Sequence, residues 1–311
     1  MFNKKRGKMA IITAHNISKR FGETQAVDQL SFEVQPGEIF GLLGPNGAGK
    51  TTSIRMILDI FQPDSGEISV LDGPMNEEKK NHIGYMPEER GLYQDIPLER
   101  CLLFLASLKG MDSANAKSQL ETYLRHLDLY DVRDKKVKEL SKGMQQKAQL
   151  IATLIHDPRL VIIDEPFTSL DPVNTEIVKK LLEQKRDEGK AIIMSTHQMS
   201  QVEELCNRIL LINHGQRLLY GTLQDIQSQF ASRDILVTPL TELPGVIDGV
   251  AEVKKLNGRY RLILDQDAQP NQILKNMIQA GIEITQFEIA TPPLNQIFIE
   301  VVRQQECAQN G

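Results

Sequence analysis

The chain has 311 residues, 41% hydrophobic and 25% charged, a balance that fits one large or two ordinary globular domains and excludes a disordered chain. Its net charge of −5 provides no global attraction for nucleic acid, and Cys101, Cys206 and Cys307 are too scattered for a disulfide framework. No apolar run approaches the roughly 18 residues a membrane helix requires, so any membrane role needs a partner protein.

The basic residues 1–8 lead into no signal-peptide core and read as a solvated tail, with a membrane-surface role as the alternative. From residue 10, short runs alternate apolar and polar positions (residues 10–14 and 30–34), and Pro36-Gly37 marks a turn. Residues 38–43 read as a buried strand. They feed the run Gly44-Pro45-Asn46-Gly47-Ala48-Gly49-Lys50-Thr51, which fills every fixed position of G-x-x-x-x-G-K-[ST]. The glycines let backbone N–H groups turn inward around phosphates, Lys50 supplies a point charge, and the Thr51 hydroxyl suits Mg²⁺. The helix predicted from Thr52 onward aims its dipole at the same place. The loop predicts a nucleotide-phosphate site.

Pro63-Asp64-Ser65-Gly66 is a turn ahead of a short strand at 67–71. Between about 98 and 156 apolar residues recur at three- and four-residue spacing, which predicts helices. Ser141 is a natural N-cap opening one of them, with its body placed at 147–156. Apolar strands return at 160–163, 191–194 and 209–212 with helical stretches between, the pattern of a mostly parallel sheet covered on both faces. The polar stretch 224–233 sets the expected boundary between a domain at 10–230 and another at 231–311. Beyond it come β-like runs at 235–237, 251–256 and 260–264, an Asn257-Gly258 hairpin signal, a helix at 271–280 and a strand at 282–285. These make a small α+β unit without a catalytic constellation.

Several residues acquire meaning from the loop. Asp164 and Glu165 end an apolar strand, where an Asp can order Mg²⁺ and a Glu can activate water. Without the loop they are equally well a charged strand terminus. Ser141 with its helix start can receive an anion, though an ordinary cap reads the same way. Ser169-Leu170-Asp171 follows the Asp-Glu pair, its Asp171 six residues beyond Glu165, and His197 ends the strand that closes at Thr196.

In this order, the phosphate loop, the Ser141-Lys142-Gly143-Met144 helix start, Asp164-Glu165, Ser169-Leu170-Asp171 and His197 resemble the ATP-binding subunit of an ATP-binding cassette (ABC) transporter over roughly residues 10–225. The resemblance implies an α/β phosphate-loop NTPase core of ABC type, with a mostly parallel sheet, a β subdomain and a helical subdomain, plus the small α+β C-terminal domain. It further implies that Gly44, Pro45, Asn46, Gly47, Ala48, Gly49, Lys50, Thr51 and Thr52 hold ATP, with Mg²⁺ on Thr51 and Asp164. Glu165 becomes the general base and His197 the residue on the γ-phosphate. Ser141 and Gly143 become the signature that caps ATP on a second subunit, Asp171 lies in the loop crossing that interface, and Phe21 stacks on adenine.

Three positions depart from the family pattern. Lys142 and Met144 replace the third and fifth residues of the usual Leu-Ser-Gly-Gly-Gln signature, and Glu88 stands where a metal-sensing Gln is common. A carboxylate can still ligate Mg²⁺, but it loses the amide donor and adds negative charge beside a polyphosphate. Ser107-Leu108-Lys109-Gly110-Met111 imitates the signature but ends a helix instead of opening one. The Lys-Gly-Met signature, residues 87–93 and the C-terminal unit are similar to the sodium-exporter and drug-exporter ATPases of bacteria and archaea. That implies a cytoplasmic homodimer or pair of ATP-binding subunits, hydrolysing ATP against a polytopic membrane permease, peripheral on the inner face of the membrane and without a nucleic-acid partner. Residues after Glu88, up to about Leu108, would dock on the permease. The alternative is a soluble ATPase of the same type in DNA repair or on ribosomes, which usually carries tandem cassettes or a coiled-coil insertion.

Overall fold

The computed structural model describes residues 9–89, 91–230, 234–244, 247–256, 258–265, 267–290 and 292–309, the side chains of 306–309 excepted. The basic tail at 1–8, Arg90, residues 231–233 of the expected boundary and Asn257 of the expected hairpin lie outside the described residues. The chain forms two compact units divided between Leu223 and Gln224.

The first unit opens with β1 (Ile12–Phe21), β2 (Thr24–Val34) and β3 (Ile39–Leu43), then α1 (Lys50–Ile57), β4 (Ser65–Val70), α2 (Glu77–Lys80) and β5 (Ile83–Met86). A helical stretch follows with α3 (Leu98–Leu108), α4 (Ser113–His126) and α5 (Lys142–Leu154), which pack on one another. Strands and helices then alternate through β6 (Leu160–Asp164), α6 (Pro172–Asp187), β7 (Ala191–Thr196), α7 (Met199–Leu205), β8 (Arg208–Asn213) and β9 (Gln216–Thr222); α8 (Leu223–Gln229) starts at the division and belongs to the second unit from Gln224 onward.

Two sheets result. β2, β1 and β4 form an antiparallel sheet, while β5-β6-β7-β3-β8-β9 forms a six-stranded sheet, parallel except for its last pair. Every residue of β3, β6 and β7 is buried, as expected of parallel strands covered on both faces. On one face Phe40, Leu42, Ile162, Ile193 and Leu210 share a core with Ile54 and Ile57 of α1 and with Ile12, Ile17, Leu30 and Phe32 of the antiparallel sheet. On the other, Gly41 leaves room for Val202 and Cys206, since a Cβ there would sit 3.0 Å from the Cys206 sulfur. The parallel order places the ends of β3, β6 and β7 side by side, with Asp164 in register with Ser195. Those ends carry the chemistry-bearing loops.

The second unit contains β10 (Ile235–Pro239), β11 (Val250–Leu256), β12 (Arg259–Leu264), α9 (Pro270–Gln279), β13 (Ile284–Ile289) and α10 (Leu294–Gln309). Its antiparallel sheet, β11-β12-β10-β13, buries Ile235, Val237, Leu262 and Leu264 against Ile273 and Met277 of α9. The α+β class expected of this segment holds. Neither α10 nor β9 was legible beforehand.

One helix begins earlier than its apolar pattern suggests. α5 starts at Lys142 and ends at Leu154, because Ser141 accepts a hydrogen bond from the Met144 amide at 3.2 Å and winds the polar residues 142–145 into its first turn. His156 lies beyond this helix, its Nε2 3.2 Å from the Ile83 carbonyl oxygen. The Ser107–Met111 imitation ends α3, and Lys109 donates to the carbonyls of Lys80 (2.7 Å) and Ile83 (3.1 Å), a structural use.

Candidate functional site

β3 runs directly into the phosphate loop. Gly44, Gly47 and Gly49 have φ of +152°, +80° and +107°, where a side chain is strained. A Cβ at Gly44 would lie 2.2 Å from the Ile212 carbonyl oxygen, and one at Gly49 2.3 Å from that of Ala26. At Gly47 it would meet open space, so only the backbone angle demands glycine there. The Lys50 ammonium folds back to donate to the Gly44 (2.8 Å) and Pro45 (3.1 Å) carbonyls. Gly49 caps α1 without any side-chain hydrogen bond, so the first amides of the helix face the loop and suit an anion.

Across the loop stand two carboxylates. The Thr51 hydroxyl donates to Asp164 Oδ2 at 3.4 Å. Asp164 is only 3% exposed, and burial pushes its carboxyl up, with neighbouring Glu165 adding to the effect and Lys50 opposing it. Burial pushes the Lys50 ammonium down, against the pull of Asp164, Glu165 and Glu88. Thr51 and Asp164 thus present two hard oxygen donors side by side, a set that fits Mg²⁺ completed by phosphate oxygens and water. Among the described residues no group of three or more His, Cys, Asp and Glu side chains could hold a metal alone.

Glu165 is fixed by its backbone and by three hydrogen bonds to its carboxylate. Its φ is +54°, a left-handed backbone that costs a non-glycine residue about 1–3 kcal/mol. Oε2 accepts from the Thr196 hydroxyl at 3.1 Å, while Oε1 accepts from the His197 amide at 3.1 Å and from His197 Nδ1 at 2.6 Å. Because an ionised carboxylate only accepts, this bond places a proton on Nδ1.

α5 secures two loops from behind. Gln146 Nε2 donates to the carbonyls of Glu165 (3.0 Å) and Pro166 (3.2 Å), and Gln149 Nε2 to those of Pro87 (3.0 Å) and Glu89 (3.3 Å). One helix therefore fixes both Glu165 and the loop bearing Glu88.

One pocket gathers Asn46, Gly47, Gly49, Lys50, Thr51, Thr52, Glu88, Asp164, Glu165 and His197. Gly44 and Pro45 form the carbonyl shelf under Lys50, and the carbonyl of buried Ala48 accepts from the Gly215 amide at 2.9 Å. Ser141, Gly143, Asp171 and Phe21 are not part of that wall. Ser141 is exposed at the start of α5, and a Cβ on Gly143 would lie 2.9 Å from the Ser169 carbonyl oxygen. Asp171 caps α6 by accepting from the Asn174 amide (2.9 Å) and side-chain nitrogen (2.6 Å), which holds its carboxyl below the usual range. Phe21, 44% exposed, meets Phe61 edge-on with ring centroids 5.3 Å apart. The pocket also contains Thr24, Gln25, Ala26 and His214, which sequence reasoning missed. The Asn213-His214-Gly215 stretch carries a turn signal, but nothing in it marks proximity to the loop.

The sequence matches the ABC transporter family over residues 27–168, and residues 221–302 match the C-terminal domain of the ATP-binding protein DrrA1-3-like family. An uncharacterized ABC transporter ATP-binding protein of Bacillus subtilis (strain 168), YhaQ, is 38% identical over 294 residues, covering 94% of this chain and 98% of the relative. Nod factor export ATP-binding protein I of Rhizobium etli is 32% identical over 300 residues, covering 94% of this chain and 93% of the relative. Among solved structures, an ATP-binding subunit of an ABC transporter superposes with a TM-score of 0.66 at 30% identity, over 71% of this chain and 93% of that one. The chain belongs to the ABC transporter ATP-binding family, and it is an ATP-binding ATPase subunit of a transporter.

Proposed function

We propose that this ATPase works as a pair of ATP-binding subunits and energises export through a separate polytopic membrane permease, peripheral on the cytoplasmic face of the membrane and with no nucleic-acid partner. The observation that carries the paired reading is the split of the motifs. The phosphate loop, Asp164, Glu165 and His197 share one pocket, whereas Ser141, Gly143 and Asp171 lie at the starts of α5 and α6 outside it. A second copy presenting its Ser141 helix start to this pocket would complete the phosphate cage with a hydroxyl, amides and a helix dipole.

Within one subunit, the loop amides, Lys50, Thr51 and Thr52 hold the phosphates. Thr51 and Asp164 would hold Mg²⁺, which would supply positive charge to offset that of the phosphate oxygens, and Glu88 lines the same pocket. Glu165 takes a proton from the attacking water, and His197 keeps that carboxylate oriented through Nδ1. Phe21 offers its ring to adenine. Residues 10–230 serve as the ATP-binding unit and 231–311 as the appendage. Export is supported by the likeness to the Nod factor export ATP-binding protein of Rhizobium etli, which extends over 94% of this chain. Among the described residues no helix is long and apolar enough to cross a membrane, which leaves the pathway to a partner. A docking surface follows α3, where exposed Tyr93 and Phe104 meet edge-on at 5.7 Å near exposed Leu108.

Two measurements test the reading. Glu165→Gln should abolish ATP turnover yet trap a nucleotide-bound dimer visible by size-exclusion chromatography. Affinity purification from the native membrane should recover a polytopic protein; recovery with ribosomes or DNA instead would overturn the transport assignment.

A further inference from the structure

Two clusters line the nucleotide pocket. One contains Lys50, Thr51, Asp164, Glu165 and His197, joined by the bonds described above. The other consists of Thr24, Gln25, Ala26 and His214, brought together from β2 and the turn between β8 and β9. That turn is stitched to the phosphate loop: the Gly215 amide donates to the Ala48 carbonyl and the Asp28 amide to the Gly215 carbonyl, both at 2.9 Å. The packing leaves no slack, since a Cβ on Gly215 would come within 2.9 Å of the Ala26 carbonyl oxygen. Within this turn His214 holds φ at +47°, a conformation glycine would take without strain, yet the position carries an exposed imidazole at the pocket. Its ring bonds to none of the described residues. Backbone strain combined with a displayed, unengaged polar ring at a ligand pocket points to a ligand contact.

We propose that His214 is a nucleotide-binding residue that hydrogen-bonds the ribose of ATP and ADP, a contact the established motifs do not include. The inference rests on the reading of this pocket as the ATP site. The reacting end of ATP is claimed by Lys50, Thr51 and the carboxylates, so the wall formed by residues 24–26 and 214 is left for the nucleoside end. The turn's bonds to Ala48 and Asp28 fix His214 relative to the phosphate loop, so the contact is preorganised and independent of loop closure.

Equilibrium binding of ATP, ADP and tripolyphosphate to the full chain tests this with His214→Ala and His214→Gly. Glycine relieves the φ strain, so a loss of affinity in that variant reports the missing ring instead of a damaged turn. Both variants should bind ATP and ADP about 3- to 10-fold more weakly, the scale of one lost hydrogen bond. Tripolyphosphate, which has no ribose, should bind as it does to the unaltered protein. Unchanged ATP affinity in the glycine variant, or an equal loss for tripolyphosphate, overturns the ribose contact. Lys50→Ala separates the two layers: if it binds ATP normally the pocket reading itself fails, and if it alone loses ATP only the His214 proposal fails.

Discussion

Glu165 and His197 are joined by a 2.6 Å hydrogen bond from Nδ1 to Oε1, and the His197 amide donates to the same oxygen at 3.1 Å. The His197 side chain is 61% exposed while that of Glu165 is 9% exposed, so the pair runs from solvent into the protein. The histidine is therefore the part of the pair that a ligand in the pocket reaches, and the carboxylate is held by it. His197→Ala leaves Oε1 with the backbone donor alone. Turnover should fall by about 100-fold or more, the scale of a displaced general base, while ATP binding measured by titration changes by only a few-fold. Turnover within twofold of normal would show that the amide suffices.

The left-handed backbone of Glu165 needs support, and Gln146 supplies it from α5 by donating to the Glu165 and Pro166 carbonyls. Gln146→Ala leaves both buried acceptors without that donor. Urea unfolding should show a loss of about 1–3 kcal/mol, and turnover should drop with it. Gln146→Glu should be worse, because a carboxylate cannot donate to a carbonyl.

Glu88 is exposed at the pocket and acts on Lys50 as one of three carboxylates. Replacing it with Gln removes one negative charge from the neighbourhood of the polyphosphate. At about 1 kcal/mol for a close charge pair in water, ATP should bind roughly fivefold more tightly at saturating Mg²⁺. If titration instead shows weaker binding, with a higher Mg²⁺ requirement, Glu88 serves the metal directly.

Much of this site was legible in the sequence because phosphate binding is a local property of the chain. The positions of Gly44, Gly49, Lys50 and Thr51 follow from one loop, and the structure explains the first two glycines by the approach of the Ile212 and Ala26 carbonyls. Asp164 and Glu165 could be picked out at one strand end once the loop had been read, and the structure places both in the pocket with it. His214 could not, because it reaches the pocket only through the pairing of β8 with β3 and the stitching of its turn to Ala48. Ser141 marks the start of α5 as its N-cap, and the Met144 amide makes that cap bond; the sequence pattern places the helix body at 147–156 because residues 142–145 are polar and carry no apolar period, whereas the helix ends at Leu154. The second unit was readable as class but not in extent: β13 runs to Ile289 and α10 follows.

Burial lowers the titration of His156 from 6.5 to about 4, with Lys109 and His82 also disfavouring its charge while the Ile83 carbonyl and Asp157 favour it. A histidine depressed on folding contributes stability that is complete above about pH 6.5 and lost as the pH falls toward 4. The shift corresponds to about 3 kcal/mol over that window. His156→Gln should flatten this acid limb in denaturant melts between pH 4 and 6.5, and an unchanged limb would assign it to other groups.

The two glutamines of α5 make that helix a rod with contacts at several points along its length. Its exposed first turn, opened by Ser141, belongs to the surface that a second copy would cover, while Gln146 and Gln149 grip the backbone at Glu165 and the Glu88 loop of its own subunit. In the proposed pair, a displacement of one end by a neighbour's nucleotide would be felt at both grips, since a helix transmits axial motion with little loss. Two ATP sites would then keep time with each other through a single element of thirteen residues.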